Sequence, residues 1–150
     1  IYSMFPITGS QLINFIPQKP PFVFISSLKE ISENTCITTF SFGADNVLCA
    51  SGKLSLGGLL ENMAQSAGCK MGYEDFIANK KSRRGFIGEV KDFSFTRLPT
   101  AGEELVTEIV IEGKVFGAVT LIAGKIFVGR EEIASCKMKV FFEPEPEQMN

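Results

Sequence analysis

Between residues 54 and 71 this chain has its one long stretch of helical periodicity, and from residue 85 onward it reads almost entirely as strand. Leu56, Leu60, Met63, Ala67 and Met71 recur at steps of four, three, four and four, a single apolar stripe at helical period. The stripe predicts a core helix over 56–71. Gly57, Gly58, Ala64, Ser66 and Gly68 interrupt it with small residues, each interior glycine costing about 1 kcal/mol of helix propensity. Such a helix is expected where another part of the chain must come close to its backbone.

The flanking segments change period. Ser10 is placed to cap a short helix over 11–16, which Pro17 stops. Pro20-Pro21 leads into Phe22-Val-Phe-Ile25, read as a short strand, and 35–42 reads as a second strand with Cys36, Thr38, Phe40 and Phe42 on one side. Residues 43–55 read as loop. After the helix and a polar break at 79–84, strands are predicted over 86–97, 105–112, 115–128 and 133–142, with turns at Gly113-Lys114 and Gly129-Arg130. One helix after two strands, followed by hairpins, predicts an α+β fold in which an antiparallel sheet closes around a central helix. Residues 1–150 are expected to form one domain, with an acidic, proline-broken tail over 143–150 that frays.

Composition narrows the function classes. A 150-residue chain with 45% hydrophobic residues can bury a core without metal or disulfide staples. With 15 basic and 17 acidic residues, the net charge of −2 argues against a nucleic-acid binder. No apolar run approaches the roughly 20 residues that a membrane span needs, and the first residues lack the layout of a signal peptide. The expected compartment is the cytoplasm. Cys36, Cys49, Cys69 and Cys136 are scattered without a CxxC pair, so reduced thiols are expected and no metal or cofactor is.

Glu61 is the sole carboxylate within the small-residue run from Leu54 to Gly68, and the chain contains no histidine. A mechanism built on Glu61 therefore lacks the usual partner base. Gln65, one turn on, shares its helix face and can hold its carboxyl.

Three segments, in register, resemble the 3-hydroxyacyl-[acyl-carrier-protein] dehydratases of fatty-acid synthesis. They are Leu12-Ile-Asn-Phe-Ile-Pro-Gln-Lys-Pro-Pro-Phe-Val-Phe-Ile25, Glu61-Asn-Met-Ala-Gln65, and Phe93-Ser-Phe-Thr-Arg-Leu-Pro-Thr-Ala-Gly-Glu-Glu-Leu105. The resemblance implies the hotdog fold and a dimer with active sites at the subunit interface. It maps the catalytic acid to Glu61 and the catalytic histidine to Val47, where the loop reads Asn46-Val-Leu-Cys-Ala-Ser-Gly52 and has no base. Ser55-Leu56 also replaces the Pro-Gly at the helix start. These departures resemble the divergent dehydratase-like branch of aryl-polyene gene clusters.

Dehydration of a 3-hydroxyacyl thioester needs a base for the α-proton and an acid for the departing hydroxyl. Glu61 suits the acid, and the amides around Leu56, Gly57 and Gly58 suit the thioester oxygen. Asp45 or Cys49 could replace the missing base, Cys49 only if a cation such as Lys53 depressed its thiol pKa. Because the family's sites combine residues of two subunits, a His-bearing hotdog chain could supply the base in a heterodimer. A homodimer and higher oligomers stay open. Two other classes compete: a thioesterase with Glu61 as general base, and a non-catalytic acyl-binding or scaffold protein. The substrate carrier is expected to be an acyl carrier protein or CoA. Lys80, Lys81, Arg83 and Arg84 form the one dense basic patch, suited to docking an acidic carrier protein.

Overall fold

Alternation of apolar and polar residues along the second half of the chain builds most of the sheet. In the computed structural model, which describes residues 5–81 and 83–144, the strands are β1 (Ile7–Thr8), β2 (Ser27–Ile31), β3 (Thr35–Ser41), β4 (Cys49–Ala50), β5 (Lys53–Leu54), β6 (Gly85–Phe95), β7 (Glu104–Val115), β8 (Val119–Val128) and β9 (Glu131–Phe142). The helices are α1 (Gly9–Ile13) and α2 (Leu56–Ile77). Seven strands form one antiparallel sheet in the order β1-β2-β3-β7-β8-β9-β6, and β4 and β5 pair as a separate small hairpin. This is the hotdog arrangement, the sheet wrapping one long helix.

Inward-facing residues follow the two-residue period of a half-buried strand. On β3 they are Cys36, Thr38 and Phe40; on β7 Leu105, Thr107 and Ile109; on β8 Ile122 and Ile126; on β9 Cys136, Met138, Val140 and Phe142. Leu59, Met63, Ala67 and Cys69 of α2 complete one continuous core with them. Met63 lies over Gly124 of β8, where an added Cβ would fall 2.9 Å from its sulfur.

Several expected boundaries move. The first helix spans Gly9–Ile13, so Ser10 lies within it and not before it; Thr8 occupies the capping position without a side-chain bond. Residues 14–16 continue in turns rather than helix. The segment Phe22–Ile25 is not a strand, because its backbone groups bond to side chains of α2, and β2 begins only at Ser27. Gly113 and Lys114 do not turn the chain: β7 passes through them with a bulge, and the reversal comes at Phe116 and Gly117, both at positive φ. Glu143 still donates its N–H to the Arg84 carbonyl, while 145–150 lie outside the described residues.

The helix differs most from expectation. It runs on to Ile77, and its buried face is not the predicted stripe: Leu56 is exposed and Leu60 and Met71 are half-buried, while Asn62, Gln65, Ser66 and Lys70 are buried. Of the predicted glycines Gly58 is crowded, by the Leu54 side chain, but the close approach of another backbone comes one turn beyond them, at Gly72, where an added Cβ would lie 1.9 Å from the Phe15 carbonyl oxygen. Gly57 and Gly68 meet no such crowding. Lys70 is tolerated in the interior because its ammonium donates to the Glu33 carbonyl at 2.8 Å and to Glu74 at 3.0 Å. Among the described residues no helix is long and apolar enough to cross a membrane.

Candidate functional site

Ser55 starts α2: its Oγ accepts from the Gly58 N–H at 3.2 Å, satisfying one of the amides that every helix leaves open at this end. One turn further, residues at i, i+1, i+4 and i+5 put Glu61, Asn62, Gln65 and Ser66 on adjacent strips of the same side. Gln65 holds three groups at once. Its Oε1 accepts from the Phe24 N–H at 2.7 Å, and its Nε2 donates to the Phe22 carbonyl at 2.9 Å and to Oε2 of Glu61 at 3.0 Å. Both N–H bonds of that amide are used, so its orientation is fixed by its surroundings.

Asn62 does the same one strip away. It donates to the Phe24 carbonyl at 2.8 Å and accepts from the Thr107 hydroxyl at 2.5 Å. Ser66 donates to the Asn62 carbonyl at 2.6 Å, and its oxygen then accepts from Thr38 at 2.6 Å. The irregular segment 22–24, the helix and strands β3 and β7 are thus joined by one buried polar network in which every member has a partner.

Glu61 stands at the edge of this network, half-buried, with one carboxylate oxygen held by Gln65. It faces a cavity of about 260 Å³ whose lining includes Gln18, Ala64, Arg83, Phe86 and Ile87. Arg83 does not join the exposed cations expected for a docking patch. Its guanidinium is largely buried and grips Asp75 through Nε and Nη2 at 3.1 and 2.9 Å. Lys80, Lys81 and Arg84 are exposed. Of the described side chains lining the cavity, only Glu61 and Arg83 are ionisable, and a guanidinium does not give up its proton. Glu61 is therefore the one carboxyl in the cavity lining, and no histidine or second carboxylate faces it there among the described residues.

The other candidates lie apart from the cavity lining. Leu56 and Gly57 are exposed, and no partner takes their N–H groups among the described contacts. Gly58 differs: its N–H is taken by Ser55, and an added Cβ would lie 2.5 Å from the Leu54 side chain, so close packing accounts for this glycine. Val47 is exposed in a turn that Asn46 organises by accepting from the Leu48 N–H at 2.9 Å. Burial, and then the Asp45 carboxylate, push the nearby Cys49 thiol up from its ordinary value, opposite to what a replacement base needs. All four cysteines are free, and burial drives the Cys36 thiol up to about 12. Among the described residues no group of His, Cys, Asp and Glu could hold a metal ion.

Asn62, Ser66, Thr38 and Thr107 were not legible as part of the site. Their signal was present only as polar residues among core positions, as at Thr38 and Thr107 on the inward faces of the paired strands β3 and β7.

The fold is shared with solved structures. The dehydratase heterocomplex ApeI:P from Xenorhabdus doucetiae matches with a TM-score of 0.75 at 16% identity, over 91% of each chain. The protein smu.793 from Streptococcus mutans UA159, bound to acetyl CoA, matches at 0.61 and 12% identity, covering 80% of this chain and 90% of that one. A hypothetical thioesterase from Streptococcus pneumoniae TIGR4, with coenzyme A, matches at 0.60 and 9% identity, over 80% and 87%. No curated protein matches the sequence. Residues 10–150 match the sequence model of the ApeP-like family, described as ApeP dehydratase, and the chain belongs to that family.

Proposed function

We propose that this chain supplies the acid half of a 3-hydroxyacyl-thioester dehydratase whose base is brought by a second, His-bearing hotdog chain. The observation that carries the reading is Glu61: a carboxyl oriented by Gln65, open to a cavity, in a chain that has no histidine and no other base in that cavity. Membership of a dehydratase family supports the reaction class, and the similar fold of a dehydratase heterocomplex supports a mixed pair.

In this reading the second chain's base removes the C2 proton of the substrate. The electron pair forms the C2–C3 double bond, the C3–O bond breaks, and the leaving hydroxyl takes the proton of Glu61 and departs as water. The Gln65 N–H steadies the carboxylate so formed. The Leu56 and Gly57 amides, at the positive end of the helix, hold the thioester oxygen, while Gly58 contributes shape and not a donor. Strand β6 is the pairing edge. It lies at the margin of the sheet, carries exposed Phe86, Ile87 and Phe95, and forms a wall of the cavity, so a second chain docked along it would cover both. The acyl group arrives on a carrier protein docked at Lys80, Lys81 and Arg84, or on CoA.

The test is to copurify the chain with a His-bearing hotdog chain from its own gene neighbourhood and follow enoyl-thioester formation from a 3-hydroxyacyl carrier protein. Glu61→Gln is expected to slow dehydration by about 10²- to 10⁴-fold while leaving the complex intact. Absence of a complex, or dehydration indifferent to Glu61, would overturn the proposal. Release of free thiol from acyl-CoA by the chain alone, lost in Glu61→Gln, would make it a thioesterase instead. Acyl binding without turnover beside any partner would make it a scaffold.

A further inference from the structure

Arg83 stands in the turn between α2 and β6, and the backbone is held on both sides of it. The Lys80 N–H returns to the Asp75 carbonyl at 2.7 Å, and the Arg84 carbonyl accepts from the Glu143 N–H at 2.9 Å. From Glu61 to Asp75 is fourteen residues, about 21 Å along the helix axis. At about 3.6 residues per turn, Ala64, Gly68 and Asp75 fall on one strip of α2, next to that of Glu61. Glu61, Ala64, Gly68 and Arg83 line the same cavity. The cavity thus runs from Glu61 along this strip toward the end of the helix at which Asp75 holds the guanidinium.

Between those ends the surfaces suit a hydrocarbon chain. Phe86, Ile87, Val140 and Phe142 form one side, and Gly68 presents no side chain on the other. At about 260 Å³ the space lies just below the range of about 300–1,000 Å³ that small-molecule pockets occupy, enough for part of a ligand.

The Asp75 carboxylate occupies one edge of the guanidinium, the edge formed by Nε and Nη2, at 3.1 and 2.9 Å. Of the five N–H groups that a guanidinium carries, the two on Nη1 and the second on Nη2 have no partner among the described contacts. Nη1 is not sealed in the interior either, since among the described residues the one buried side-chain atom without a hydrogen bond is Oε1 of Gln18. An Nη1–Nη2 edge therefore stays open on a side chain that is only 10% exposed and lines the cavity. A buried ion pair is by itself a poor source of stability, because taking both charges out of water offsets most of their attraction. What Asp75 does supply is a fixed position for a guanidinium that still has two parallel N–H groups to donate.

We infer that Arg83 is a specificity residue, whose free Nη1–Nη2 edge donates to a carboxylate at the far end of the acyl chain, so that the site selects dicarboxylic acyl groups over plain alkyl ones. This rests on the acyl-thioester reading above, in which the reacting carbons lie at Glu61. The planar fork of a guanidinium matches the two oxygens of a carboxylate. Its two edges face different directions, so a second carboxylate would meet the free edge without touching Asp75. A site built around such donors disfavours the analogue that lacks the acceptor, because burying the chain then strips water from N–H groups that receive nothing in return.

The probes are acyl-CoA pairs of equal length, with and without a terminal carboxylate: octanedioyl against octanoyl, decanedioyl against decanoyl, and dodecanedioyl against dodecanoyl. Each is titrated calorimetrically into the chain with its hotdog partner bound where one is found. At the length that spans Glu61 to Arg83 the wild type is expected to bind the dicarboxylic probe about tenfold more tightly. Arg83→Met alone would leave Asp75 buried without its partner, so it is combined with Asp75→Leu, which removes both charges together and keeps the fold. This double variant should lose the preference by weakening the dicarboxylic probe alone. Arg83→Lys, which keeps a cation for Asp75 but has no second edge, should lose it as well, and it decides the case if the double variant does not fold. Equal binding within every pair by the wild type overturns the inference and leaves the acyl-thioester reading standing. A preference that survives in the variants overturns it too, as does equal weakening of both members of a pair, which would give Arg83 a role in the fold or toward the CoA phosphates only. Binding of no acyl-CoA by the wild type overturns both.

Discussion

The two stretches of α2 that flank Glu61 are built on opposite principles. From Asn62 to Ser66 each buried polar side chain is bonded within the chain, to segment 22–24, to β3 or to β7. At Leu56 and Gly57 the helix start is exposed, as is Val47 in the loop before it, and none of the described residues covers them. The first stretch is complete in itself and fixes where Glu61 stands. The second has the surface of something left for another molecule to finish. Glu61 lies at the junction, one oxygen held by the completed side and the carboxyl open to the cavity.

Removing one member of the completed side should produce the largest effect on the isolated chain. Asn62→Leu keeps the bulk but leaves the buried Phe24 carbonyl and the Thr107 hydroxyl without partners. At about 1–3 kcal/mol for each orphaned group, a loss near 3 kcal/mol is expected, read from the urea midpoint. A loss below about 1 kcal/mol would mean that the network is not a single bonded unit and the contrast with the helix start would collapse. The helix start should behave the other way. Val47→Asp alters an exposed loop side chain, so the isolated chain should keep its stability within about 0.5 kcal/mol, while the affinity for the hotdog partner falls by about tenfold. Equal affinity of variant and wild type would show that this end is ordinary solvent-facing surface.

The same contrast explains what could be read in advance. Strands β7, β8 and β9 were legible because runs rich in β-branched and apolar residues lie between turn residues, and the alternation of 105–112 matches the buried face that each strand presents. The position of Glu61 and its pairing with Gln65 were legible from helical spacing and the dehydratase-like motif. The buried face of the helix was not. Apolar periodicity finds a buried face only when burial is satisfied by apolar contact, and here Asn62, Ser66 and Lys70 are buried because each reaches a specific partner distant in sequence, at Phe24, Thr38 and Glu33. The predicted strand at Phe22–Ile25 failed for the same reason: its backbone groups are matched by side chains of α2, which β propensity does not register.

The smallest expected effect concerns how the unfinished end is supported. The loop between β6 and β7 meets the residues before the helix through Leu54 N–H on the Pro99 carbonyl at 3.0 Å and Ala101 N–H on the Gly52 carbonyl at 2.8 Å. Arg97 and Glu103 brace that loop, the guanidinium bonding both Glu103 oxygens at 2.8 and 3.0 Å while Glu131 accepts from its Nε and Nη2. The Arg97 bonds, and then the Thr100 N–H, hold the Glu103 carboxyl at about 2, below its ordinary 4.5. A carboxyl depressed by folding contributes its stability in full above the unfolded value and loses it as pH falls toward the folded one. The Glu103 contribution is therefore intact at neutral pH and disappears between 4.5 and about 2. Because both groups are partly exposed, water screens the pair and the gain is small, within the about 0–1 kcal/mol typical of surface ion pairs. Glu103→Gln should lower the melting temperature slightly at pH 7, and the two melting curves should converge as the pH is taken down through that interval. A gap that stays constant with pH would mean that Glu103 braces the loop by shape and hydrogen bonding alone, and that the support of the helix start does not depend on its charge.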